Sequence, residues 1–136
     1  TELSTGMAAF FRTTEAMGLE DKVTTFTASD FNRTFTPNGN NGADHAWGTH
    51  AMVMGGAVKG RNLYGDFPEL KTNGGLDAAN GRGRWIPTTS VDQYSAVLAK
   101  WLGVDSNSMA AIFPNLTRFN DPFQSSDANL DFMNYS

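Results

Sequence analysis

The pattern of apolar and polar positions predicts three helices. The first contains an apolar stripe at helical spacing, and Gly18 follows it where a left-handed C-terminal residue belongs. The second begins at a capping box over 90–93, carries a longer apolar stripe and stops at Gly103. A short third helix is predicted over 106–113, before Pro114. The two stripes are Leu3, Met7, Phe10, Thr14 and Met17, and then Val91, Tyr94, Val97, Leu98, Trp101 and Leu102.

Two segments have strand character, and the rest is irregular. Residues 23–27 are β-branched and aromatic, and residues 51–56 are an apolar run that two glycines close. Glycines and prolines punctuate a long loop over 59–89, and residues 115–136 read as an extended tail. Two strands with three helices cannot close a layered sheet. We therefore expect residues 1–136 to be a single partial domain, the C-terminal segment of a larger α/β domain whose sheet other residues or chains complete.

Composition narrows the class of protein. Of the 136 residues, 40% are hydrophobic and 12% aromatic, which is enough to bury a core. Ten basic against 14 acidic side chains give a net charge of −4, so we expect no nucleic-acid partner. The longest apolar run is far shorter than the roughly 18 residues of a bilayer span, so no membrane span is expected. With no cysteine, the chain has no disulfide or thiolate metal site.

Candidate chemistry concentrates in 30–50. Asp30 follows the first predicted strand, where ligands bind in open α/β sheets, and Asp44, His45 and His50 lie one loop later. Aspartate and histidine are the usual oxygen and nitrogen ligands of Zn²⁺ and related ions. The two histidines can share one site only if the chain between them is irregular, which Gly48 allows. The alternative is that Asp44 caps a turn while both histidines bind backbone carbonyls.

Three arginines are candidate oxyanion ligands. Arg33 follows Asp30 closely. Two interpretations of this arginine are equally good: it binds an anion, or it only braces the structure. Arg82 and Arg84 alternate with glycines, and we interpret them as braces that hold the long loop. Trp47 lies beside the histidines and is a candidate pocket wall.

Five ordered motifs resemble one bacterial family. They are VTTFTASDFNRT over 23–34, GADHAWGTH over 42–50, GGAVKG over 55–60, GRGRWIPTTS over 81–90 and IFPNL over 112–116. In this order they resemble the C-terminal part of the exported family called domain of unknown function 1501, which is similar to the alkaline phosphatase and sulfatase superfamily. The resemblance implies a three-layer α/β/α sandwich of alkaline phosphatase type, and an exported, periplasmic or extracellular bacterial protein.

The superfamily resemblance also implies a metal site. Asp30 matches the aspartate of a post-strand Asp-His pair, and His45 matches a later histidine, so both are expected ligands of a divalent metal such as Zn, Mn or Ca. Asp44 and His50 have no counterpart, and we predict them as further ligands or as groups that orient the ligands. Arg33 is expected to clamp the substrate anion.

One difference from the superfamily pattern leaves two functional hypotheses open. Phe31 stands where the paired histidine is expected, and the nucleophile region has no match in this chain, so no catalytic residue is assigned. The first hypothesis is part of a metal-dependent hydrolase of phosphate or sulfate esters. The second is a non-catalytic structural or binding component of the cell envelope or of an extracellular assembly.

Overall fold

A computed structural model describes residues 2–78, 81–119 and 130–135 and has a mixed α/β fold. Strands β1 and β4 pair antiparallel, as do β2 and β3. The chain divides into two compact units, the first from 1–27, 51–64 and 92–136 and the second from 28–50 and 65–91. The elements are α1 (Glu2–Ala16), β1 (Thr25–Phe26), β2 (Asn32–Arg33), β3 (His45–Ala46), β4 (Val53–Met54), α2 (Val91–Trp101), α3 (Ser106–Ile112) and a 3₁₀ turn (Leu116–Arg118).

The predicted ends of the two long helices are confirmed. Gly18 and Gly103 adopt left-handed φ angles of 66° and 92° just after α1 and α2. At the end of α1, the Leu19 amide donates to Thr14 (2.9 Å), and the Gly18 amide donates to Glu15 (3.0 Å). Two such crossed bonds form a Schellman motif, and α2 ends in the same way. Glycine is suited to both positions because it has no Cβ to strain a left-handed backbone.

The third predicted helix is also confirmed, and part of the predicted tail is described. Asp105 caps α3 through hydrogen bonds to two backbone amides, and Pro114 follows the helix. Of the tail, residues 120–129 lie outside the described residues. Residues 130–135 return to the first unit, where Met133 bridges antiparallel to Val58.

The core of the first unit forms where α2 meets this returning segment. Its buried side chains are Ala57, Val97, Leu98, Leu130, Phe132 and Met133. Val97 and Met133 are completely buried. Phe132 stacks between Tyr64 and Tyr94, with ring centroids 5.9 Å and 5.8 Å apart. The middle of the α2 stripe (Tyr94, Val97, Leu98 and Trp101) therefore faces the core, as its spacing predicts, whereas Val91 and Leu102 at its two ends are exposed (72% and 74%).

The predicted strands are present but shorter than the sequence suggests. The β1–β4 ladder joins Thr25 to Met54 and Phe26 to Val53. Next to it, a Cβ on Gly55 would lie 2.7 Å from the Val23 carbonyl oxygen, so only glycine allows this approach of the two backbones. No helix in the described ranges is long and apolar enough to cross a membrane.

The second unit is an antiparallel hairpin with part of the long loop packed on it. Strands β2 and β3 pair Asn32 with Ala46 and Arg33 with His45. Residues 81–85 hydrogen-bond the hairpin through backbone groups, including the Gly48 amide with the Trp85 carbonyl (2.9 Å). The buried Trp85 ring packs against Phe35, with centroids 5.4 Å apart.

Candidate functional site

The β2–β3 hairpin brings the predicted anion ligand beside one predicted metal ligand. Arg33 and His45 are direct partners across the two strands, and both side chains are exposed. Side chains opposite each other in an antiparallel pair lie on the same face. The Phe31 ring joins them: it lies 4.3 Å from the His45 ring and 5.1 Å from the Arg33 guanidinium carbon. Arg33 also donates to the Ala43 carbonyl (3.1 Å), which fixes its direction.

Asn38 organises the turn that joins the two strands. Its side-chain oxygen accepts from the amides of Asn40 and Gly42, both at 3.0 Å. Asn41 adopts a left-handed φ of 57°, a conformation that asparagine tolerates better than most residues. Asparagine and glycine, which dominate residues 38–42, are typical turn residues, and here they form a hydrogen-bonded turn.

Asp44 is a structural hub in this unit. Its Oδ1 accepts from the Asn38 side chain (2.9 Å), and its Oδ2 accepts from Arg82 Nη2 (2.6 Å). Its backbone also exchanges two hydrogen bonds with Thr34. The hydrogen bond from Asn38 lowers the pKa of the Asp44 carboxyl below its usual value, and the nearby charges of Arg82, Arg84 and His45 lower it further. Asp44 is thus held ionised and already paired.

We expect Asn38→Ala to raise the pKa of Asp44 more than Arg82→Gln does, because the hydrogen bond from Asn38 is the larger cause of the shift. Folding lowers this pKa, so the ionised carboxylate stabilises the fold above its unfolded pKa. That contribution is lost as the pH falls through the folded pKa. NMR titration of the Asp44 carboxyl measures the change. Lys71→Gln is the control, because Lys71 pairs with Glu69. A larger shift in Arg82→Gln would contradict this order of causes.

A second carboxylate shapes the loop that carries Arg82 and Arg84. Asp77 Oδ2 accepts from the amides of Asn73, Gly81 and Gly83 at 3.0–3.2 Å, and Oδ1 accepts from the Arg84 amide at 3.1 Å. Gly83 is buried with a φ of 67°, and a Cβ there would lie 2.5 Å from the Cβ of Phe35. This loop therefore has a fixed backbone that delivers Arg82 to Asp44.

The bracing role predicted for Arg82 is confirmed by this ion pair. The Nε atoms of Arg82 and Arg84 are both buried and have no acceptor within the described part of the chain. Two guanidinium groups with unused donors thus lie near the hairpin, and they add positive charge to this unit.

The predicted metal ligands are brought together only in part. Asp44 and His45 are neighbours on the hairpin, while Asp30 lies at a bend before β2 and His50 beyond β3, both with exposed side chains. Across 2–78, 81–119 and 130–135, no three His, Cys, Asp or Glu side chains form a group that could hold a metal. Both oxygens of Asp44 are already in hydrogen bonds. The metal site stays a prediction, and it would need ligands from elsewhere.

The sequence predicts a turn that includes Asn38 but not the hydrogen bonds that Asn38 makes, and it does not single out Asp77 at all. The sequence does contain a signal for the turn at Asn38, because an Asn-Gly pair between two chain segments is a strong indicator of a hairpin. Asp77 had none, since one aspartate in a glycine-rich loop does not reveal which amides it will bind.

Comparison with known proteins gives a family but no activity. A family model described as a protein of unknown function (DUF1501) matches residues 1–81, more than half of the 136 residues. The match includes α1, the complete hairpin and Asp77. No curated protein and no solved structure matches the chain significantly. The function has to be argued from the site itself.

Proposed function

The chain belongs to the DUF1501 family, and from that membership we propose that it is part of an exported hydrolase-like protein acting on phosphate or sulfate esters. In this proposal the whole protein has the alkaline phosphatase-like α/β/α sandwich. The present chain contributes the hairpin that holds the ester anion. The catalytic nucleophile is not assigned to any residue here.

The observation that carries this proposal is the pairing of Arg33 with His45 on one exposed face. A guanidinium presents up to five N–H donors in a planar fork that matches the oxygens of phosphate and sulfate. Ala43 and the Phe31 ring hold the Arg33 head in place, which reduces the entropy lost when an anion binds. A ring N–H of His45 adds a second donor beside it.

The metal part of the proposal assigns Asp30 and His45 as ligands of a divalent cation, Zn, Mn or Ca. Asp44 and His50 then serve as further ligands or as orienting groups. The pairing of Asp44 with Asn38 and Arg82 supports the orienting role, because it fixes the strand that bears His45. When bound, such a cation would stabilise negative charge on the ester.

The test is binding of inorganic sulfate and phosphate, measured by calorimetry on the full chain. We expect Arg33→Gln to weaken binding about tenfold or more, as the loss of a forked ionic contact does. Arg12→Gln is the matched control, because Arg12 is an exposed arginine on α1, in the other unit. Equal affinities in the two variants would refute the assignment of Arg33.

Elemental analysis of the purified protein tests the metal separately. We expect a stoichiometric divalent metal that is lost in Asp30→Ala and His45→Ala. A metal-free protein that still binds sulfate would remove the metal from the proposal and leave the anion site.

The second candidate function is a non-catalytic binding or structural component of the cell envelope or of an extracellular assembly. The engagement of both Asp44 oxygens favours it, since a carboxylate paired with an arginine is a poor free metal ligand. In that case the protein binds oxyanions, holds no metal and does not turn over esters.

The proposed partner is another part of the whole protein or a second chain that completes the α/β domain. Two features support it: within the described residues the β1–β4 sheet has two strands, and Leu3, Phe10 and Met17 of the α1 stripe are each about half exposed or more (48–64%). Apolar stripes at helical spacing normally face a neighbour.

A further inference from the structure

Two exposed aromatic residues flank Arg33 and His45 on the hairpin, one before Arg33 and one after His45. We call this set, Phe31, Arg33, His45 and Trp47, the ribbon face. Phe31 is 40% exposed and Trp47 59% exposed, and Arg33 and His45 are exposed as well. The Phe31 ring contacts both the Arg33 guanidinium and the His45 ring, and Trp47 is the first residue after β3, two positions beyond His45. Large aromatic rings left in solvent beside fixed cations are typical of a binding surface.

The rings and the cations favour different parts of one ligand. An exposed indole offers a flat apolar surface that suits the C–H face of a sugar ring, while sugar hydroxyls remain in water at the edges. Arg33 suits an oxyanion, because one of its donors is taken by Ala43 and the others remain for a ligand. A ligand that matches both needs an apolar ring face and an anionic substituent.

We propose that the ribbon face binds an anionic carbohydrate, with the sugar ring against Trp47 and its sulfate, phosphate or carboxylate group on Arg33 and His45. This inference rests on the proposed function and names its substrate class: the ester would be carried by a sugar.

Charge argues against a nucleic acid on the same surface. The chain carries −4 overall, and Asp30 immediately precedes Phe31 with its side chain exposed. A polymer with one phosphate per nucleotide would meet that carboxylate, and its affinity depends on neutralising many phosphates at once. A sugar bearing one oxyanion needs only the Arg33 and His45 pair.

The experiment compares five probes by calorimetry on the full chain. The probes are glucose 6-sulfate, glucose 6-phosphate, glucuronate, glucose and inorganic sulfate. We expect the three anionic sugars to bind more tightly than glucose and than inorganic sulfate. The order among them identifies which oxyanion the site prefers.

Variants then separate the ring contact from the charge contact. Trp47→Ala should weaken binding of the preferred sugar about tenfold and leave inorganic sulfate unchanged, whereas Arg33→Gln should weaken both. Trp47→Phe should restore most of the affinity, because a flat ring is kept. Phe67→Ala is the matched control, since Phe67 is a 67% exposed aromatic residue of the same unit. Circular dichroism checks that each variant is folded.

The outcomes distinguish the two proposals. If inorganic sulfate binds through Arg33 but no sugar binds more tightly, the carbohydrate inference is wrong and the anion site stands. If Trp47→Ala behaves like Phe67→Ala, the ring contact is refuted. If neither sulfate nor any sugar binds, both proposals fail.

Discussion

Asp77→Ala should lower the free energy of unfolding of the second unit by about 3–5 kcal/mol, because several hydrogen bonds to a charged group are lost together. Four backbone amides, those of Asn73, Gly81, Gly83 and Arg84, donate to this one carboxylate. Removing it leaves donors in a partly buried loop without an acceptor. An alanine side chain has no atom that could accept these hydrogen bonds.

The same substitution should also affect Asp44 in the candidate site, because Arg82 connects the loop to Asp44. Its guanidinium pairs with Asp44 (2.6 Å) because the loop over 81–84 is held in place. We therefore expect Asp77→Ala to raise the pKa of Asp44 as well, since the bond from Arg82 weakens. A stability effect and a distant pKa change from one substitution would show that Asp77 positions the arginine.

Urea denaturation and amide hydrogen exchange measure the effect. Exchange should accelerate most at Gly81, Gly83 and Arg84, whose amides lose their acceptor. Asp66→Ala removes an equal charge from the same unit at an exposed position and is the control. Asp77→Asn should be intermediate, because the amide keeps one acceptor oxygen. If Asp66→Ala destabilises as much as Asp77→Ala, the loop does not depend on this carboxylate.

The helices could be predicted because their signals are local. Helical spacing of apolar residues marks both long helices, and Gly18 and Gly103 end α1 and α2 through bonds within the same turn. The positions of strands β1 and β4 could be predicted from the sequence, but their lengths could not. Residues 23–27 and 51–56 have strand composition, yet pairing covers two residues of each, since it depends on which segments meet.

The hairpin could not be predicted from hydrophobic pattern. Strands β2 and β3 contain three polar residues and Ala46, so no alternation of apolar and polar positions marks them. Their pairing depends on the turn that Asn38 closes and on the loop packed beside them. The predicted anion ligand Arg33 and metal ligand His45 were found as single residues, but their position opposite each other follows only from the register.

The pairing of Asp44 with Arg82 illustrates the same limit at long range. The two residues are 38 positions apart, and composition alone favoured Asp44 as a turn cap or a metal ligand. The structure gives it a different neighbour because the Asp77 turn brings the loop back to the hairpin. Tertiary contacts of this kind leave no periodic trace in the sequence.

Phe132→Ala should lower the free energy of unfolding of the first unit by about 3–5 kcal/mol, as deletion of a buried phenyl ring does in well-packed cores. Phe132 is 3% exposed and stacks against Tyr64 and Tyr94. Its backbone carbonyl also accepts from the Lys59 amide (2.9 Å). The returning segment, which the sequence predicts to pack as an extended tail, is therefore part of the core.

Thermal and urea denaturation test this, with Phe119→Ala as the control at a 45% exposed position. Amide exchange at Lys59 and Asn134 gives the local readout, because both amides are bonded across the returning segment. If Phe119→Ala destabilises the first unit as much as Phe132→Ala does, the returning segment does not contribute to the core.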